Sequence, residues 1–201
     1  IVPVFFFAVN VGALQDVVEQ NIGFDYKAFQ LPVAILFAVT GVTRANILVL
    51  DIQGGYFERL ALTPVNRLAM LLGFMVADLA LVMSLSLPVI ALGLIVGVTF
   101  ETGIIGVIVF LAIAGLWALA YNMLPYAIAL KTGNPAAVNS SFLLFLPVTF
   151  LTTVFVPEEA LTGWMAQIVK FNPVTYLLQG QRSLISDGWV LGDLLAALAG
   201  I

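Results

Sequence analysis

From Leu31 to Val156 the chain returns four times to apolar runs of about twenty residues or more, with only short polar stretches between them. Such a run is the length at which an α-helix crosses the hydrocarbon core of a bilayer, whereas a barrel strand needs about ten residues of alternating polarity. In lipid every backbone N–H and C=O has to be satisfied within the structure, so a bundle of helices follows. Composition agrees: 62% of the residues are hydrophobic and 9% charged, against the roughly 25% charged residues usual in soluble domains. The chain reads as an integral membrane protein of the all-α class.

Taken in order, residues 1–14 form the outer part of a first helix, too short to span unaided. The next spans are 31–50, 68–98, 104–130 and 136–156, and residues 189–201 start a sixth, so the first and last helices are truncated and 1–201 is one transmembrane domain. The chain opens Ile1-Val2-Pro3 without Met inside an apolar run and stops at Ile201 in another, which is expected of a piece of a longer polypeptide. The stretch after Leu14 carries Asp16, Glu19 and Asp25 against Lys27 and is placed outside, because cytoplasmic loops are rich in Lys and Arg. Pro88 predicts a kink in the third span.

Asp51–Arg67 is the longest polar interruption between spans, and with Arg59, Arg67 and nearby Arg44 it holds the strongest basic cluster, which places it in the cytoplasm. Glu58, Arg59, Thr63, Asn66 and Arg67 interleave with Phe57, Leu60, Ala61 and Leu62, giving a helix at this point one polar and one apolar side. Gly54 and Gly55 permit a break before it and Pro64 marks its end. Two readings stay open: a docking element on which a partner pushes, and a solvated loop with anchoring charges.

Pro157–Gly188 breaks the pattern of spans. Its two apolar patches, 161–169 and 174–178, are each too short to cross. The expectation is an outer helix–turn–helix dipping into the leaflet with Trp164, Phe171 and Tyr176 at headgroup depth; the alternative is a plain outer loop with an amphipathic helix. Two ionisable residues lie within spans, Arg44 and Asp78, both in the inner half of the bilayer by helical rise. At about 2.5–3.5 kcal/mol or more per mid-depth charge, each has to pair, snorkel or face water. Either they pair between the second and third helices, or Arg44 snorkels while Asp78 lies in a wet crevice.

Much chemistry is excluded. The chain has neither cysteine nor histidine, so disulfides, thiol nucleophiles and imidazole bases are absent. It has no G-x-x-x-x-G-K-[ST] to cradle nucleotide phosphates and no G-x-S-x-G. Glu158 and Glu159 after Pro157 suit a helix N-terminus, and Gly93 with Gly97 makes a G-x-x-x-G that permits close helix approach. No internal repeat and no series of intramembrane carboxylates argues for a secondary transporter.

Three stretches resemble the permease subunits of ABC-2 type ABC exporters, in particular the daunorubicin-resistance type. The first comprises Asp51, Gly54-Gly55, Glu58-Arg59-Leu60, Thr63-Pro64-Val65 and Arg67, followed by Gly73 and Ala77-Asp78. The second is Phe142 to Tyr176, and the third is Arg182-Ser183-Leu184-Ile185. The resemblance implies a six-helix permease half that pairs with a second half, as a homo- or heterodimer, and is driven by a separate P-loop ATPase subunit holding ATP and Mg. No cofactor and no nucleic acid is implied for this chain itself. It further implies a coupling helix over about 56–66 within the loop 51–67, with Phe57, Glu58, Arg59, Leu60, Thr63, Pro64 and Arg67 engaging the ATPase. The outer hairpin 157–188 would include Pro157, Glu158, Trp164, Asn172 and Pro173. Substrate would pass between the halves near Phe5, Phe6, Phe142, Phe145, Thr149 and Phe150.

An aromatic, nearly uncharged fifth helix suits an amphiphilic or lipid-linked cargo better than a small ion. The expected function is therefore ATP-driven export of a hydrophobic, amphiphilic or lipid-linked molecule across a prokaryotic cytoplasmic membrane. The rival is a membrane scaffold or passive channel without ATP coupling. An intramembrane enzyme stands third, for want of a nucleophile–base or metal constellation.

Overall fold

Asparagine opens three of the helices, and each time its side-chain oxygen accepts the N–H two residues on: Asn66 from Leu68, Asn134 from Ala136 and Asn172 from Val174. In the last two a proline follows at the first helical position, where its missing N–H is not needed. The computed structural model describes residues 2–21, 24–40, 43–62, 66–158 and 161–201, with backbone alone for Val2, Val17, Asn21, Phe57, Glu58, Ala61 and Arg67. Among the described residues there is no strand. The helices are α1 (Val2–Asn21), α2 (Tyr26–Thr40), α3 (Ala45–Gln53), α4 (Tyr56–Ala61), α5 (Arg67–Ile95), α6 (Gly103–Thr132), α7 (Pro135–Phe150), α8 (Gly163–Val169), α9 (Pro173–Ser186) and α10 (Leu191–Ala199).

Three stretches are long and apolar enough to cross a membrane: Tyr26–Gln53, which takes in α2 and α3, Leu68–Ile95 and Gly103–Thr132. The protein is an integral membrane protein. Its α5 suits that setting, because Leu72, Val76, Leu81, Leu85, Leu87 and Leu94 are all exposed along it, a surface that lipid tolerates and water does not. By contrast α2 is sheathed: Leu31, Val33, Ala34, Ile35, Leu36 and Val39 are buried in the main core with Phe110, Phe145, Leu177 and Leu178. A second, smaller core gathers Ala45, Leu48 and Val49 of α3 with Tyr126, Ala129 and Val138.

Several boundaries differ from the sequence reading. The first helix does not stop at Leu14 but runs to Asn21; the polar residues among 15–21 are not helix breakers, and Gln15 bonds Glu19 one turn on. The second span starts before Leu31 because Asp25 Oδ1 accepts the N–H groups of Lys27 and Ala28, which sets the start at Tyr26. It is also interrupted, since the described Thr43 and Arg44 are not helical and α3 begins anew at Ala45. The fifth helix ends at Phe150 instead of Val156. Beyond it, carbonyls are taken by side chains from elsewhere: Val154 O by Gln30, Thr153 O by Arg182 and Leu151 O by Asn172. Pro88 lies inside α5, which continues past it to Ile95. Of the G-x-x-x-G pair only Gly93 lies in a helix; Gly97 stands beyond its end at φ 101°.

The connections gather at two ends. At one, Gln53 Nε2 donates to Gly133 O at 2.8 Å, joining the end of α3 to the α6–α7 turn. At the other, Glu101 N donates to Ile185 O and Thr102 Oγ1 to Leu184 O, joining the α5–α6 turn to α9. The charge bias assigns the first end to the cytoplasm, and the two are called inner and outer in that sense.

Candidate functional site

At the inner end the chain turns at Gly54–Gly55. Gly55 adopts φ 69°, a left-handed conformation that glycine takes without the cost a Cβ would bring, and it frees α4 to leave the line of α3. Arg59 N donates to Gly55 O and Leu62 N to Arg59 O, so α4 is a short helix held by its own backbone. Tyr56 and Leu62 are exposed, Arg59 is exposed and Leu60 is half-buried. Of the other residues expected to couple, Thr63 and Pro64 lie outside the described residues, as do the side chains of Phe57, Glu58 and Arg67.

Beneath this surface sits the one carboxylate of α5. Asp78 is fully buried, enclosed by protein and not in an open crevice. Its Oδ2 accepts from Tyr126 Oη at 2.7 Å and Asn122 Nδ2 at 3.1 Å, both on α6. These two donors are four residues apart and so share one helix face. Oδ1 accepts the backbone N–H of Arg44 at 3.1 Å. Arg44's guanidinium is farther off, with Nε 3.9 Å from Oδ1, and its side chain is 37% exposed. The structure thus brings Arg44 and Asp78 together, with the shorter contact made by the main chain. Asn122 and Tyr126 escaped the sequence reading; the available signal was an asparagine inside an otherwise apolar span with a second polar group one turn on.

The outer end has a matching cation. Arg182 of α9 donates through Nη1 to Thr153 Oγ1 at 2.8 Å, through Nη2 to Thr153 O at 2.7 Å and through Nε to Phe29 O at 3.3 Å. Its guanidinium also lies 3.5 Å from the centroid of the Phe29 ring, a cation–π geometry. Beside it opens a cavity of about 820 Å³ whose lining includes Phe24, Asp25, Glu158, Asp187 and Asp193.

Residues 157–188 hold two helices, α8 and α9, but unequal ones. Much of α9 is buried, Leu184 and Ile185 included, so it extends well past the expected patch at 174–178. Pro157 is half-buried and Glu158 accepts from Gln179 Nε2 at 3.1 Å. Trp164 and Phe171 are exposed, whereas Tyr176 is half-buried and donates to Lys170 O. Asn172 is buried and donates to Val148 O at 2.6 Å and Leu151 O at 3.0 Å while capping α9, with Pro173 next to it at the first helical position.

The residues expected along a substrate path fall into two sets. Phe5, Phe142 and Phe150 are exposed. Phe145 and Thr149 are buried inside the subunit, Phe145 in contact with the rings of Phe37, Tyr121 and Phe142. Phe6 lies between the sets, half-buried, its ring 4.8 Å from that of Phe37. No group of His, Cys, Asp and Glu able to hold a metal ion occurs among the described residues.

Comparison with known proteins places this arrangement. A family model described as ABC-2 type transporter matches residues 1–185. The daunorubicin resistance ABC transporter permease protein DrrB1 of Streptomyces coeruleorubidus is 25% identical over 194 residues, covering 94% of this chain and 68% of that protein. The probable doxorubicin resistance ABC transporter permease protein DrrC of Mycobacterium tuberculosis is 26% identical over 202 residues, covering 98% and 72% respectively. No solved structure matches.

Proposed function

The chain belongs to the ABC-2 type transporter family, and from that premise we propose that it is the permease subunit of an ATP-driven exporter, working with a separate P-loop ATPase that holds ATP and Mg. The family match over residues 1–185 carries this reading, because the related proteins are named as permease proteins of ABC transporters. Their names speak of daunorubicin and doxorubicin resistance, which favours an amphiphilic organic cargo. In this reading residues 1–201 form one permease domain with six spans, the loop 51–67 meets the ATPase, 157–188 is an outer hairpin, and a second permease half completes the pathway.

Support for the coupling role comes from the inner end. The short helix α4 is set apart from α3 by Gly55 and presents Arg59 to solvent. A surface of this kind transmits a push without binding nucleotide, a two-state element biased by a ligand it never touches. The exposed Phe5, Phe142 and Phe150 suit a path along the surface facing the second half.

The test uses the full-length permease reconstituted with its ATPase in proteoliposomes, with daunorubicin uptake into inverted vesicles as readout. Changing Glu58 and Arg59 together to Ala is expected to lower ATP-driven transport by about tenfold or more with the subunit still folded. Undiminished transport overturns the coupling role. Movement of the drug without nucleotide identifies a passive channel, and none under any condition a scaffold.

A further inference from the structure

The second span changes partners where α2 gives way to α3. Up to Thr40 its side chains lie in the main core; from Ala45 onward Ala45, Leu48 and Val49 pack with Tyr126, Ala129 and Val138 in the separate inner core. Two polar contacts strengthen the second association: Asn46 Nδ2 donates to Asn139 Oδ1 at 2.8 Å, and Gln53 Nε2 to Gly133 O. By packing, α3 therefore goes with the inner halves of α6 and α7, and α2 with the rest of the bundle.

Arg44 is the N-cap of α3, and its own side chain makes no capping bond. Thr43 Oγ1 accepts the N–H of Ala45 at 3.3 Å, and the N–H of Arg44 is taken by another helix. Asp78 Oδ1 accepts Arg44 N–H at 3.1 Å, with Oδ2 at 3.4 Å, while Oδ2 holds Asn122 and Tyr126. One carboxylate thus fixes the start of α3, a point on α5 and a face of α6. A carboxylate suits this place because helix N-termini attract negative charge, and bonds to an ionised acceptor are about twice as strong as neutral ones. Its insertion in a span nonetheless costs more than a neutral cap such as Ser or Asn demands.

We propose that Asp78 is a positioning residue for transport: it registers α3, and with it α4, against α5 and α6, so that displacement of α4 is passed to α6 through this carboxylate and not along a continuous second span. The proposal rests on the permease reading above for its link to transport. Its structural half stands on the resting geometry alone.

The sequence has no cysteine, so spin labels can be placed at Ile47 of α3 and Met123 of α6, both exposed. The full-length permease, with its ATPase in lipid nanodiscs, is measured by double electron–electron resonance with and without nucleotide. The wild type is expected to give one narrow distance that shifts with nucleotide. In Asp78→Asn the distribution broadens by about twofold and the nucleotide shift is lost; ATP hydrolysis stays within about twofold of basal while transport falls about tenfold. Tyr126→Phe, which removes one donor and keeps the ring, covers the case in which Asp78→Asn fails to fold, and is expected to broaden the distribution partially. An unchanged distribution in the folded variant overturns the proposal. A wild type that neither transports nor responds to nucleotide sinks the permease reading instead, and the resting distributions still decide the role of Asp78.

Discussion

Asp78 at the inner end and Arg182 at the outer end are both buried or half-buried charges that draw three separate parts of the chain together, and both act on the second span, Arg182 at Phe29 and Asp78 at Arg44. They differ in what they collect. Asp78 has only acceptor oxygens, so it gathers donors: a helix-start N–H and two polar side chains on α6. Arg182 has only donors in a planar fork, so it gathers oxygens: Phe29 O, Thr153 O and Thr153 Oγ1. A carboxylate thus closes the start of a helix, and a guanidinium makes room for irregular chain. That is why α3 can begin anew below α2, and why the stretch after Phe150 can leave the helix without stranding its carbonyls.

The largest effect is expected at the carboxylate. Asp78→Leu is close in size but leaves the N–H of Arg44, Asn122 Nδ2 and Tyr126 Oη without their acceptor in a buried place. A buried donor that loses its acceptor costs about 1–3 kcal/mol, and three donors lose one here, so the expected loss is about 3–5 kcal/mol. Thermal unfolding of the detergent-solubilised full-length subunit checks it. A loss below about 1 kcal/mol would mean that water or rearranged neighbours replace the carboxylate, and the parallel with Arg182 would be broken.

Next comes the outer cation. Arg182→Lys keeps the charge but not the fork, so one ammonium cannot reach Thr153 O, Thr153 Oγ1 and Phe29 O together or lie flat on the Phe29 ring. The expected loss is about 1–3 kcal/mol, read in the same melt. A neutral outcome would show that charge alone is what this site requires, in contrast to the inner end, where geometry decides.

The two nodes were unequally legible in the sequence. Asp78 stood out because a carboxylate inside an apolar run has few solutions, and Arg44 was the basic residue within a span. What pattern could not reveal is that the main chain of Arg44 makes the shorter contact, since the non-helical backbone at Thr43 and Arg44 depends on tertiary partners. Arg182 was marked only as part of a family stretch, because its acceptors, Phe29 and Thr153, are remote in sequence and two of the three are backbone oxygens that carry no residue signature. The apolar runs revealed the helical class and the three helical stretches long and apolar enough to cross a membrane. They misplaced the ends of α1 and α7 because polarity and helicity part company there: residues 15–21 are mostly polar yet helical, whereas Thr152–Val154 continue a largely uncharged run without being helical.

Packing at the outer end and at the middle of α6 can be compared through glycine. A Cβ at Gly180 of α9 would lie 2.7 Å from Ala197 Cβ and 2.9 Å from Asp193 O, both rigid parts of α10. At Gly115 of α6 it would meet Leu79 Cδ1 at 2.7 Å and Met83 Cε at 2.8 Å, the flexible tips of two long side chains. Gly180→Ala is therefore expected to cost about 1–3 kcal/mol by forcing α9 and α10 apart, and Gly115→Ala less, because rotamers give way before backbones do. Because α9 also carries Arg182, a displaced α9 should widen the cavity beside Asp193, and labels on α9 and α10 would register the separation. Equal costs at the two glycines would show that the outer helices yield as readily as side chains.

The smallest effect is expected at Arg44, and it separates two descriptions of the inner node. If the node is an ion pair, Arg44→Gln should cost nearly what loss of Asp78 costs. If it is a cap, the substitution leaves the bonding N–H in place and removes only a guanidinium whose Nε is 3.9 Å from the carboxylate and whose side chain is 37% exposed. At that exposure an ion pair is worth about 0–1 kcal/mol. Glutamine retains enough polarity to remain at the inner boundary, so no desolvation cost replaces the lost charge. The double variant Arg44→Gln with Asp78→Leu should then unfold close to where Asp78→Leu does, with a coupling energy of no more than about 1 kcal/mol. A single Arg44→Gln variant as damaging as Asp78→Leu would return the guanidinium to the centre of the node, and the likeness between the two ends would become one of ordinary charge pairing.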